Sequence, residues 1–442
     1  MPPIEDHPLR YALSNELHAR PFPSLKAPCH AAFIAIKQEV DAAARDRDLD
    51  RAHLIALLDR YGAPHPHPGA THWFGDIGRY RLKWESHTEF VTYTLFGDGV
   101  ADRPFDGSTF DAFPEEWLET APGVRMTSTL VRVEPDPGPD KIFDKLGEWF
   151  VPESLACSHV LDDSVTIAGD FRIDQNGHAR FAVFASEECG PRRLGRVVQR
   201  LCEIETYKCM SMLGLSRVRG MGEGLNYIDE TLTEIMGQMT GQMNGSITNT
   251  VTGQGEGRAR PADETLDTLL QVSSELEALA ANSAYRFAAS AAYETLVNQR
   301  IEILREERFR GLQTFGEFMV RRFDPAMRTV KAAETRIKSM SDRATRASDL
   351  LRTRVDVERS AQNQALLESM DKRADLQLRL QKTVEGLSVV AISYYAVNLV
   401  IYMAQPLGDA VGLSKLVLTA LVTPAVILGV WWLVRRIRNK ME

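Results

Sequence analysis

The sequence predicts an α+β cytoplasmic domain, followed by a long-helix stem and a C-terminal two-helix transmembrane hairpin. Three observations lead to this prediction. Strand and helix patterns alternate in the first half of the chain, strand patterns disappear after about residue 215, and two long uncharged apolar segments lie near the C-terminus. The 442 residues are 44% apolar and 25% charged, which is ordinary globular composition and enough for two or three compact units.

Residues 1–215 are predicted to form the α+β domain, with a mostly antiparallel sheet. Segments with alternating or β-branched strand character lie at 30–37, 79–85, 89–96, 126–134, 164–173 and 178–185. The dipeptide Asn176-Gly177 between the last two segments is typical of a hairpin turn. Helical patterns lie at 48–61, 139–151 and 191–213.

Residues 216–325 are predicted to be helical, with a flexible linker near 236–261 that is rich in Gly, Thr, Asn and Gln. Residues 326–386 contain no proline and no glycine before Gly386, and they consist mainly of good helix formers. We therefore expect one stem helix that runs directly into the first apolar segment. An exposed helix of that length must pack on helices of its own chain or of neighbouring subunits, which favours a homo-oligomer.

The two apolar segments are predicted to be transmembrane helices at 387–404 and 416–434, joined by an outer turn at 405–415. The basic tail at 435–442 and the basic residues before the first segment predict that both ends face the cytoplasm. The expected membrane-interface anchors are Trp431, Trp432, Arg435 and Arg436. The N-terminus lacks the apolar core of a secretory signal, and the five cysteines include no Cys-x-x-Cys pair, which favours a reducing cytoplasmic environment.

Polar residues of the first transmembrane segment recur at helical spacing, so they share one stripe of the helix. The stripe consists of Ser388, Ala391, Tyr395, Asn398 and Tyr402. Two interpretations remain open: the stripe lines a cation pore with rings of neutral oxygens, or it forms hydrogen bonds that hold an oligomer together. In the outer turn, Asp409 either attracts cations to an entrance or is simply solvated.

Two groups of polar residues stand out in the soluble part. His65, His67 and His72 are close enough in sequence to suggest a transition-metal site, although the prolines between them favour an extended surface loop. Asn15, Glu16, His18 and Arg20 suggest either a ligand or subunit contact, or a segment that packs on the sheet.

No catalytic motif is present: the sequence has no Gly-x-Ser-x-Gly, no Walker loop and no His-Glu-x-x-His. We therefore expect neither an enzyme nor a bound cofactor. The net charge of −8 disfavours nucleic acid as a partner, since its phosphates require a basic surface. The lipid bilayer and further copies of the chain are the expected partners.

Four long strings resemble a bacterial family known as domain of unknown function 3422, described as membrane-anchored proteins. They are HPLRYALSNELHARPFPSL at 7–25, RLKWESHTEF at 81–90, LLRTRVDVERSAQNQALLESM at 350–370 and LQKTVEGLSVVAISYYAV at 380–397. The resemblance covers most of the chain and implies the bacterial inner membrane. The family brings no established activity.

The order of domain, stem helix, two membrane helices and basic tail is similar to that of CorA-type divalent cation channels. Those channels have Asn- and Gln-rich helix before the membrane, here Gln362 to Gln364, and a Gly-Met-Asn motif at the outer end of the first span. The nearest string here is Tyr395-Ala396-Val397-Asn398, which departs from the motif by Ala and Val and lies inside the apolar segment. The resemblance implies an oligomeric channel or transporter for a divalent cation, and a pentamer is one assembly that it suggests. A membrane-anchored scaffold or sensor without transport is the alternative.

Overall fold

The computed structural model describes residues 4–16, 22–252, 262–410 and 414–441, and the chain divides into two compact units, Met1–Ala347 and Ser348–Glu442. An α+β unit with a large sheet comes first, and long helices and an apolar helix pair follow, so the predicted order of structural classes is confirmed. In chain order the elements are α1 (Arg10–Glu16), β1 (Cys29–Lys37), α2 (Arg47–Tyr61), β2 (His72–Ile77), β3 (Tyr80–Ser86), β4 (Phe90–Asp98), α3 (Glu115–Glu119), β5 (Val124–Pro135), α4 (Pro139–Trp149), β6 (Ala156–Val160), β7 (Val165–Ile173), β8 (Ala179–Ala185), α5 (Pro191–Thr252), α6 (Ala262–Leu304), β9 (Glu307–Arg308), α7 (Phe315–Arg322), α8 (Asp324–Ala410) and α9 (Lys415–Met441).

The strands of the first unit form one sheet in the order β2-β3-β4-β1-β5-β8-β7-β6-β9. Neighbouring strands are antiparallel except for β5 and β8, which pair in parallel. Each of the six predicted strand segments overlaps a strand, and β7 and β8 form the predicted hairpin around Asn176 and Gly177. The sequence did not predict β2, β6 or β9.

One face of the sheet carries two apolar clusters. Side chains of β1, β3 and β4 pack with α2 and α3 around Trp84 and Tyr93, both fully buried. A second cluster surrounds α4 and includes Trp149 and Phe184. Phe105 packs against both clusters, so they lie side by side on the same face. Burial of each large side chain contributes about 1.5–3 kcal/mol, so this face stabilises the unit.

The first unit also contains packed helices with coiled-coil spacing. Buried residues of α5 recur at alternating intervals of three and four: Met221, Leu225, Ile228, Leu232, Ile235 and Met239. The part of α8 in this unit has the same pattern, with Met327, Val330, Ile337, Met340 and Ala344 buried. Polar contacts also join the two helices: Arg336 donates to Asp229 at 3.0 Å, and Arg343 donates to the other oxygen of the same carboxylate.

The structure extends α5 through Thr252, whereas the sequence predicts a flexible linker over 236–261. Ile235 and Met239 continue the buried spacing of the helix into this stretch, and their packing offsets the roughly 1 kcal/mol by which each glycine weakens a helix. Residues 253–261 of the predicted linker lie outside the described residues.

Candidate functional site

In the second unit, α8 and α9 each contain a window long and apolar enough to cross a membrane, by length and composition alone. The mean hydropathy of these windows is 1.8 and 2.2. Only 11% and 6% of the two windows is buried within the chain, whereas the core helix of a soluble protein is mostly buried. The first window belongs to the helical stretch ending at Leu407, and the second to Lys415–Ile437.

Within the apolar part of α8, the buried side chains lie on one face. Ser393 and Ile401 are buried, and Ala396 and Val397 are partly buried. A row on α9 at intervals of four is also partly buried, and it consists of Leu418, Val422, Val426, Val430 and Val434. These two rows are the less exposed sides of the two apolar helices of this unit.

The predicted polar stripe lies on the other side of α8. Its members are centred about 180° from the buried face at 3.6 residues per turn. The side chains of Tyr395 and Tyr402 are 71% and 73% exposed, Ser388 and Ala391 are also exposed, and Asn398 is half-buried. The described residues of the chain therefore leave this stripe uncovered except at Asn398, which is partly covered.

The predicted interface anchors form two pairs, and the tryptophan and arginine of each pair are one helical turn apart. The guanidinium of Arg435 lies 5.0 Å from the ring centre of Trp431, and that of Arg436 lies 5.2 Å from Trp432. Both tryptophans are at least half exposed. A ring that is apolar on its faces and held beside a cation suits a boundary between hydrocarbon and water.

The structure does not bring the other predicted site residues together. His65 contacts Asp59 at 2.6 Å, His72 lies in β2, and no cluster of three or more His, Cys, Asp or Glu suited to a metal occurs in the described ranges. Asn15 and Glu16 end α1, whereas His18 and Arg20 lie outside the described residues. Asp409 lies in α8, but its side chain is not described.

A polar seam between the sheet and α5 is a feature that the sequence analysis missed. Lys83 on β3 is buried and donates to Gln199 of α5 at 2.7 Å. Gln199 in turn donates to Glu203 at 2.7 Å, and Arg300 of α6 donates to the same carboxylate. The other neighbour of Lys83 is Glu85, at 3.1 Å. The seam thus connects the sheet to both long helices.

The turn between β3 and β4 is fixed by a second group of buried charges. The carboxylate of Glu89 is buried and accepts hydrogen bonds from both terminal nitrogens of Arg286 on α6, and from the hydroxyl of Tyr293 at 3.1 Å. Burial raises the pKa of Tyr293, and the negative charge of Glu89 raises it further, so the hydroxyl keeps its proton and donates. Arg45 pairs with Asp50 at 2.8 Å and donates to carbonyl groups of the same turn.

These buried groups satisfy one another. The cavity along the seam measures about 20 Å³, which is enough for about one water molecule and too small for a substrate. We therefore interpret the seam as the attachment of α5 and α6 to the sheet. Its signal in the sequence was the string RLKWESHTEF, where charged residues alternate with apolar ones along β3, so the charged side chains face the helices.

Comparison with known proteins assigns the chain to a family. A family model described as "Protein of unknown function (DUF3422)" matches residues 5–441. The chain belongs to this family. The match confirms the resemblance seen in the sequence, and it includes both units of the DUF3422 chain. No curated protein and no solved structure gives a match.

Proposed function

We propose that this DUF3422 protein is a homo-oligomeric membrane protein whose first apolar helix lines a pathway for cations. The observation that carries the proposal is the position of the polar stripe on α8. It lies opposite the buried side chains of this helix, and both of its tyrosines, Tyr395 and Tyr402, are largely exposed. Polar groups inside a bilayer usually face other helices or water, because lipid offers them no hydrogen-bond partner.

Other copies of the chain are the simplest source of that environment. If several α8 helices surround an axis, each stripe residue becomes a ring of hydroxyl or amide oxygens. Neutral oxygen rings suit a hydrated or partly hydrated hard cation such as a divalent metal ion. The likeness to CorA-type channels in the order of domain, stem and two spans is consistent with this arrangement and suggests five copies.

The same proposal places the protein in the bacterial inner membrane with both termini in the cytoplasm. The basic tail that begins at Arg435 and the tryptophans next to it suit the cytoplasmic interface. Attachment of a reporter at the tail and at residue 414, between the two apolar segments, tests this orientation. A tail that is accessible only from the periplasm would contradict it.

The test of transport is cation entry into liposomes that contain the full-length protein and a metal-sensitive dye. We expect entry of divalent cations into wild-type liposomes and a strong loss with Tyr395→Leu or Asn398→Leu. The matched control is Tyr394→Leu, because Tyr394 is next to Tyr395 and similarly exposed, but it points about 100° away around the helix. Absence of entry in the wild type, or equal loss in the control, would refute the proposal.

A membrane-anchored oligomeric scaffold or sensor is the second candidate, since the same exposed stripe would serve as an oligomer contact. This candidate predicts that Tyr395→Leu and Asn398→Leu dissociate the oligomer, and that the wild type carries no cations. Mass measurement of the detergent-solubilised variants by light scattering separates the two functions. A pore variant keeps its oligomeric mass and loses flux, whereas a scaffold variant loses mass.

A further inference from the structure

A cleft at the start of α5 is lined by an unusual number of arginines. Its volume is about 440 Å³. The lining residues are Leu161, Asp162, Arg193, Arg196, Arg200, Glu302, Ile303 and Arg305. They come from the turn between β6 and β7, from the first turns of α5 and from the end of α6. Two of these parts, the start of α5 and the residue after α6, place four guanidinium groups around one space, and the turn adds Leu161 and Asp162.

The four guanidinium groups have no close ion-pair partner in the part of the chain that the structure describes. None of them takes part in an ion pair within 4.0 Å among the described residues, although Asp162 and Glu302 also line the cleft. With four arginines and two carboxylates, the lining has a formal charge of +2. The nearby carboxylate of Glu203 is already occupied by Arg300 and Gln199. The excess positive charge therefore faces the open space.

The helix itself adds to this positive field. Arg193, Arg196 and Arg200 recur at intervals of three and four near the N-terminus of α5, whose first turn contains no acidic residue. The N-terminal end of a helix carries a partial positive charge, so cations there are unfavourable unless an anion is present. Arg200 is half-buried, and burial together with neighbouring Arg196 lowers its pKa, although the negative charge of Glu203 acts in the opposite direction. Both effects are relieved by a bound anion.

We propose that this cleft binds a small phosphorylated anion that carries at least two negative charges. Guanidinium groups match phosphate oxygens through paired hydrogen bonds, and a doubly charged group neutralises the excess of +2. The cleft is larger than a single phosphate requires, so it also accommodates a diphosphate or a small organic group attached to the phosphate. The only large apolar side chains of the lining are Leu161 and Ile303, so recognition depends on the phosphoryl group and not on aromatic stacking.

The test is calorimetric titration of the full-length protein in phosphatidylcholine nanodiscs with inorganic pyrophosphate. We expect saturable binding that weakens as salt is raised. Arg196→Gln/Arg200→Gln should weaken it at least about tenfold, since each charge-assisted hydrogen bond contributes that much affinity or more. The control is Arg192→Gln, which removes one positive charge from α5 one helical turn before Arg196. Arg192 is exposed and does not line the cleft, so its variant should bind within about threefold of wild type.

A second measurement does not depend on the affinity. Without ligand, Arg196→Gln/Arg200→Gln should raise the melting temperature, because it removes repulsion between cations and with the helix terminus. The same variant should lose the increase in melting temperature that pyrophosphate gives the wild type. Pyrophosphate that does not bind the wild type, or equal effects of Arg192→Gln and the double variant, would overturn the proposal.

The source of the phosphate is identified by repeating the titration in nanodiscs that contain phosphatidic acid. Unchanged affinity assigns the cleft to a soluble phosphorylated molecule. If phosphatidic acid weakens the binding of pyrophosphate to the wild type but not to the double variant, the lipid competes for the cleft, and the cleft is assigned to a lipid headgroup. Either result supports the phosphoryl site, and neither depends on whether the chain transports cations.

Discussion

Replacement of Arg286 by methionine tests how strongly the buried pair with Glu89 holds α6 on the sheet. The Glu89 carboxylate is 1% exposed and has two hydrogen bonds from Arg286 and one from Tyr293. Arg286→Met removes two hydrogen bonds and the paired positive charge from that buried carboxylate. Loss of one partner from a buried ion pair typically costs about 3–5 kcal/mol. We expect a value near the lower limit, because Lys37 lies close enough to interact with both charges.

The assay is urea unfolding of the full-length protein in detergent, followed by tryptophan fluorescence. Four of the six tryptophans lie in the first unit, so the signal mainly reports its unfolding. Glu89→Gln should cost about 1–2 kcal/mol, since the amide oxygen still accepts from Arg286 and Tyr293. The double variant Glu89→Gln/Arg286→Met should be more stable than Arg286→Met alone, because it contains no unpaired buried charge.

The matched control removes an arginine from an exposed ion pair. Arg60 donates to Glu116 at 3.1 Å, and the two side chains are 50% and 84% exposed. Arg60→Met should change stability by no more than about 0.5 kcal/mol. If Arg286→Met cost no more than this control, or if the double variant were the least stable of the set, the account of Glu89 as a buried charge that requires its arginine would be refuted.

Three further predictions concern the first unit. Gly195→Ala should lower the free energy of unfolding, measured in urea, by about 3 kcal/mol, because the new Cβ would lie 1.7 Å from the carbonyl oxygen of Pro23. The control Gly147→Ala, where the new Cβ meets open space, should raise the free energy of unfolding by up to about 1 kcal/mol. Hydrogen bonds from two arginines of α8 lower the pKa of Asp229 in the folded protein. Its contribution to the free energy of unfolding is therefore fully present above the unfolded pKa of about 3.9 and is lost as pH falls through the lower folded pKa. Asp229→Asn should abolish this part of the acid dependence of the urea midpoint. Cys157 is buried and burial raises its pKa, so a thiol reagent should modify it only after unfolding, and fast modification of the native protein would contradict this.

Much of the sheet was predictable because several strands have strong local signals. The apolar run that includes Ala31 to Ile36 predicts a central strand with both faces covered, and β1 lies between β4 and β5. The short strands have weaker signals. β2 contains Gly75 and Asp76, and β6 has only five residues and few β-branched ones, so pairing with β3 and β7 determines their conformation. Such pairing depends on tertiary context.

The two candidate sites, the polar stripe of α8 and the arginine cleft, also differ in how far the local sequence predicts them. The polar stripe of α8 follows from periodicity, because its members lie within fifteen consecutive residues of one helix. The arginine cleft requires Asp162, Arg196 and Arg305 to meet, although they lie far apart in the sequence. The structure also ends α6 at Leu304 and places Arg305 at the cleft, and no local sequence pattern predicts that position.

The polar side chains of this protein fall into two classes, those with hydrogen-bond or ion-pair partners within the described part of the chain and those without. In the seam, Lys83 and Glu203 have internal partners, so their loss should reduce stability and do little else. Tyr395 and Arg196 have no such partners among the described residues, and the chain gains little stability from holding them where they are. Their replacement should therefore leave folding intact and remove an interaction with something outside the chain. Stability and function can thus be separated by mutation, and a variant of Tyr395 or Arg196 that simply unfolds would argue that both features are structural.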